Sequence, residues 1–78
     1  MRGWQEMEAA GAQASPPPER HRTIDGLRYR VFLAPIPAAM VWLDGIWRFV
    51  PRVGPFRTLD AGCEAVERAH PDLLKELA

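Results

Sequence analysis

The sequence predicts an α+β fold: a three-stranded antiparallel β-meander packed on one C-terminal helix, in the order β-β-β-α, behind a flexible N-terminal arm. Three observations carry the prediction. Residues Leu27 to Leu33 alternate in character from one residue to the next, as a half-buried strand requires. Asp44-Gly45 lies between two apolar runs and is a strong type I′ hairpin signal. From Thr58 onward, Leu59, Cys63, Val66 and His70 recur at helical spacing behind a good N-cap residue.

The first 22 residues read as an arm. Ala, Glu and Gln dominate residues 1–14, with Trp4 and Met7 one helical turn apart, but Gly3 and Gly11 weaken any short helix. Ser15-Pro16-Pro17-Pro18 then imposes an extended stretch poor in hydrogen bonds. Trp4 is the residue of the arm suited to dock on the body. The single domain is expected over residues 23–78, opening at the Asp25-Gly26 turn.

Within it, the first strand places Leu27, Tyr29, Val31 and Leu33 on one side and Arg28, Arg30 and Phe32 on the other. Ala34-Pro35-Ile36-Pro37 ends it, because neither proline can donate to a ladder. Ala39 to Leu43 and Ile46 to Val50 form the hairpin. With Asp44 and Gly45 as its loop, Trp42 faces Trp47, Val41 faces Arg48 and Met40 faces Phe49. The aromatic side, with Met40, Trp42, Trp47 and Phe49, is the expected core face. The other side collects Val41, Leu43, Ile46, Arg48 and Val50, and is expected to join Arg28, Arg30 and Phe32 as the outer surface. At the C-terminus Pro71 is expected to bend or break the helix. A second short turn then places Leu73, Leu74 and Leu77 on the sheet, with His70 at a helix end.

A chain of 78 residues buries only about 60% of its unfolded surface and has a marginal core. One cysteine and two histidines offer neither an intramolecular disulfide nor a zinc ligand set, so no metal or cofactor is expected. An unpaired cysteine fits a reducing compartment, and the expected location is cytoplasmic. There is no apolar run near the ~20 residues of a membrane span, and the N-terminus lacks the order of a signal peptide. Cys63 and His70 are seven residues apart, roughly 10 Å along a helix axis, too far for a nucleophile and its base. Cys63 reads as a core residue, and an enzyme is not expected.

The neutral total charge is unevenly spread. Residues 1–19 hold Arg2 against Glu6, Glu8 and Glu19, for −2. Residues 20–57 hold Arg20, Arg22, Arg28, Arg30, Arg48, Arg52 and Arg57 against Asp25 and Asp44, for +5. Residues 58–78 hold Arg68 and Lys75 against Asp60, Glu64, Glu67, Asp72 and Glu76, for −3. The basic middle is either a footprint for an anionic partner or the internal counterweight of an acidic helix.

The stretch Gly54-Pro55-Phe56-Arg57-Thr58-Leu59-Asp60-Ala61-Gly62-Cys63-Glu64-Ala65 follows three strands and opens a helix. Over residues 27–70 this arrangement resembles the sheet-plus-helix DNA-binding domains of plant ethylene-response factors and of the arm-binding region of tyrosine-recombinase integrases. The resemblance implies major-groove contacts from Arg28, Arg30 and Arg48, with Trp47 beside them.

The favoured expectation is a non-enzymatic protein-interaction module working through the apolar and arginine outer face: Arg28, Arg30, Phe32, Val41, Ile46, Arg48, Val50 and Arg52. An apolar patch rimmed by arginine is typical of protein interfaces. The partner is another protein or a second copy in a homodimer. In size and style the chain is like small phage or mobile-element inhibitors, anti-CRISPR proteins among them. The alternative is a DNA-binding accessory domain using the sheet arginines; the acidic helix and arm oppose its attraction to phosphates.

Overall fold

A computed structural model describes residues 3–8 and 18–78. The architecture is α+β: a five-stranded antiparallel sheet with one C-terminal helix across one face. The strands are β1 (Gln5–Glu8), β2 (Pro18–Ile24), β3 (Leu27–Phe32), β4 (Ala38–Leu43) and β5 (Ile46–Phe49), in spatial order β1 to β5. The helix α1 spans Leu59–Leu77.

The three expected strands are present, and two more lie within the expected arm. Asp25-Gly26 is the loop of a second two-residue hairpin, matching Asp44-Gly45. Both loops have positive φ at both positions, 49° and 82° in the first and 51° and 83° in the second. The sheet therefore extends back to residue 5, and the body does not begin at residue 23. Strand β2 is hard to recognise because it carries charge on both faces. Arg20 and Arg22 point to the helix side, where they pair with Asp60 and Glu67; Glu19 and His21 point the other way. A strand whose arginines are matched by carboxylates distant in the chain shows no apolar alternation. The remainder of the expected arm, including Pro16 and Pro17, lies outside the described residues.

Thr58 caps the helix as expected, its Oγ1 accepting from the Ala61 amide at 3.1 Å. Pro71 does not break the helix: α1 runs on through it as one element. Pro71 is exposed, so its missing N–H frees a carbonyl on the solvent side, where water can bond it. His70 is accordingly a buried mid-helix residue and not a terminal one. Leu73 is buried, but Leu74 and Leu77 face solvent.

The main correction concerns which face of the sheet is inside. Tyr29 pairs with Val41, Val31 with Ala39, and Val41 with Arg48. That register puts Tyr29, Val31, Ala39 and Val41 together under α1, against Cys63, Val66, Ala69 and Leu73. Met40, Trp42, Trp47 and Phe49 share the opposite face with Arg28, Arg30 and Phe32. The alternation within each strand is as expected; the two halves are joined the other way.

The cause is the narrow gap between helix and sheet. At Gly62 a methyl group would come within 2.7 Å of both the Phe56 ring and a Val31 methyl. A helix that approaches this closely needs Val and Ala beneath it, and two tryptophans would hold it off. Trp4 is the one tryptophan inside. Its indole N–H donates to Glu67 Oε2 at 3.2 Å, which ties β1 to the helix.

Candidate functional site

The face of the sheet opposite α1 is covered by no described element, and its centre is aromatic. The Trp42 and Trp47 rings meet edge to face with centroids 5.3 Å apart and planes at 69°. Such a pair shields part of each ring but not the whole. Trp42 remains 45% exposed and Phe49 65%.

A polar cluster on β2 and β3 borders these rings. Glu19, only 5% exposed, accepts two hydrogen bonds from Arg30, at 2.8 Å from Nε and 3.1 Å from Nη2. It accepts a third from His21 Nε2 at 2.7 Å. The carboxylate can only accept, so Nε2 carries the proton, and Nδ1 is left without a partner among the described residues. Burial is the largest single influence on Glu19 and favours its neutral form. The hydrogen bonds and charges of Arg30 and His21 together outweigh it and hold the carboxyl below its usual range. Arg30 also lies 4.8 Å over the Phe32 ring and 5.8 Å from Trp47.

Arg28 differs from Arg30. It lies 6.0 Å from the Trp47 ring, is exposed, and has no ion-pair partner among the described residues. Between β1 and the hairpin the surface dips into a shallow cleft of about 370 Å³, floored by His21, Glu19 and Arg30 and walled by Met7, Trp42, Trp47 and Arg28. This surface offers indole faces, one unpaired guanidinium and a hydrogen-bonded ion cluster with the His21 Nδ1 still open, a composition suited to binding.

The eight residues expected to form the outer surface divide four ways. Arg28, Arg30 and Phe32 lie on the side of the sheet away from α1, with Phe32 buried under the Arg30 guanidinium. Val41 and Val50 are core residues, at 0% and 5% exposure, because the β3–β4 register carries that side of the hairpin under the helix. Ile46 and Arg48 belong to the helix-side face of β5, but α1 packs on β2, β3 and β4 and does not reach β5, so both are exposed. Arg52 lies in the turn after β5, paired with Glu76 of α1. The sequence reading placed Met40, Trp42, Trp47 and Phe49 in the core and did not single out Glu19 and His21.

The basic middle segment is mostly neutralised within the fold. Arg20 pairs with Asp60 and approaches Glu6, Arg22 pairs with Glu67, Arg30 with Glu19, and Arg52 with Glu76. Arg28, Arg48 and Arg57 have no such partner among the described residues, and they do not form one patch.

On the helix side, Tyr29 Oη donates to His70 Nδ1 at 2.6 Å, and His70 Nε2 donates to Asp25 Oδ2 at 2.7 Å. Both imidazole nitrogens are thus engaged in joining the helix to the β2–β3 turn. Burial first, and then the Asp25 charge, pushes the Tyr29 phenol up to about 12. Burial likewise pushes the Cys63 thiol up to about 11. Among the described residues no group of three or more His, Cys, Asp or Glu could hold a metal ion. No described helix is long and apolar enough to cross a membrane.

Compared with known proteins, the chain matches no family model, no curated protein and no solved structure.

Proposed function

We propose that the chain is a small, non-enzymatic protein-docking module acting through the open face of its sheet. One observation carries this reading: Trp42, Trp47, Phe49 and Met40 cluster on the sheet face that no described element covers, with Arg28 at their border. Tryptophan, methionine and arginine are enriched at protein interfaces, and tryptophan and arginine dominate their binding energy. The Glu19–Arg30–His21 cluster supports the reading by holding its side chains in fixed positions, which lowers the entropy lost on docking. A module of this size that masks a larger protein with one face is suited to an inhibitory role.

The test compares partner capture by the wild-type chain and by Trp42→Asp, with circular dichroism to verify the fold. Loss of a specific partner on a folded Trp42→Asp background supports docking through this face. Capture indifferent to Trp42→Asp and to Phe49→Asp sinks it. Sedimentation at high concentration identifies the case in which the partner is a second copy.

A second reading, nucleic-acid binding, draws on Arg28 and Arg30 sharing the open face with Trp42 and Trp47, since arginine and aromatic side chains together suit stacked bases. Glu19 neutralises Arg30 there, which weakens the field toward phosphates. Binding to random DNA that falls steeply with salt and is lost in Arg28→Ala favours this reading; no binding at low salt removes it.

A further inference from the structure

We propose that β5 is a strand-addition edge, at which an extended segment of a partner protein pairs with the main chain of Trp47 and Phe49 and sets an acidic side chain against Arg48. The proposal rests on the docking reading above and names the partner's conformation and charge.

The hydrogen-bond pattern of the hairpin shows which main-chain groups are unused. Leu43 and Ile46 flank a two-residue loop and form a hydrogen-bonded pair, and the Val50 amide donates to the Ala39 carbonyl at 3.0 Å. Alternation between these points leaves Trp47 and Phe49 at non-bonded positions, their N–H and C=O groups directed away from β4. β5 is the last strand of the sheet, and neither amide has another backbone partner among the described residues. An edge of this kind is a template for a further strand. The side chains of the same two residues lie on the open aromatic face, so an added strand would widen that face.

Charge and register decide the occupant. On the helix side of β5 the charged side chain is Arg48, exposed next to Ile46 and without an ion-pair partner among the described residues. A second copy paired through its own β5 is a poor fit. The two-fold antiparallel register that engages both Trp47 and Phe49 of each chain is centred on Arg48, and it sets Arg48 directly opposite its own copy. Shifting the centre to Trp47 pairs Phe49 with Gly45 in the turn; shifting it to Phe49 pairs Trp47 with Pro51, which has no N–H. A foreign strand with apolar residues toward the aromatic face and Asp or Glu opposite Arg48 meets neither obstacle.

The test uses three synthetic peptides in which valine alternates with glutamate, lysine or glutamine, titrated into isotope-labelled protein. The glutamate peptide is expected to slow hydrogen exchange at the Trp47 and Phe49 amides. It should bind better than the lysine peptide by up to about fivefold for each pair across the strands. Arg48→Glu should invert that preference. Phe49→Ala retains the edge amide and Phe49→Pro deletes it, so binding should survive better in the former. Binding that perturbs the indoles without protecting the Trp47 and Phe49 amides, or that ignores the charge at position 48, overturns strand addition while leaving face docking intact. No response to any peptide also overturns it. Partner capture that is insensitive to Trp42→Asp overturns the docking reading itself.

Discussion

Val41 and Trp42 are neighbours on β4 and have opposite fates. Val41 is fully buried between Tyr29 and the helix, whereas Trp42, much the larger hydrophobe, is nearly half exposed. The two faces of this sheet follow different rules. The helix side is chosen for fit, with small and β-branched residues that let α1 approach to the limit set by Gly62. The open side instead carries large rings and paired charges. Hydrophobicity by itself would rank the faces in the wrong order; close packing ranks them correctly.

The sharpest way to break the comparison is to place the same charge on each side. Val41→Asp buries an unpaired carboxylate and is expected to cost more than about 4 kcal/mol. That is comparable to the whole stability of a chain this size, about 4–12 kcal/mol at the usual value per residue. Trp42→Asp, one residue away, is expected to cost about 1–2 kcal/mol, from the lost edge-to-face pair and the poor strand propensity of aspartate. Urea denaturation of both variants measures the difference. Equal losses would mean that the faces are not distinct.

A smaller effect is expected at the bonded link between helix and turn. Tyr29→Phe leaves His70 Nδ1 without its donor in a buried site, at a cost of about 1–3 kcal/mol. Tyr29 is the only tyrosine in the chain, so its ionisation can be followed directly by ultraviolet absorbance. Its folded pKa is raised, so its contribution to stability is complete below its unfolded value, about 10, and is lost as pH rises toward about 12. A phenol titrating near 10 while the fold persists would contradict the burial of this link.

The smallest expected effect is on the open face. Glu19 has a lowered folded pKa, so its stabilisation is present above the ordinary carboxylate range and is lost as pH falls through the folded value. Glu19→Gln should make the acid side of the stability–pH curve shallower than in wild type. Identical acid slopes would show that the Arg30 and His21 bonds contribute nothing net.

Much of the fold was legible in local patterns, and the omissions share one cause. The β3 alternation, the Asp44-Gly45 hairpin and the Thr58 cap are encoded within a few residues of one another. Strand β2 was not legible, because the groups that satisfy Arg20 and Arg22 lie some 40 residues away on α1. Arg28, Arg30 and Phe32 are on the expected side of β3, since strand alternation fixes them opposite Tyr29 and Val31, but Phe32 is buried there and not exposed. Val41 and Val50 were placed wrongly because alternation says which residues share a side of a hairpin and nothing about which side the helix takes.

By itself, then, the sequence determined the order of the last four elements, the partners across the β4–β5 hairpin and the sorting of side chains within β3, β4 and β5. Those are consequences of backbone geometry over two to ten residues. The tertiary structure decided that the sheet has five strands, that α1 lies on the valine side, and that Trp42 and Trp47 share the face away from it. Those choices depend on the width of the gap at Gly62 and on ion pairs between distant segments, and neither exists until the helix has docked.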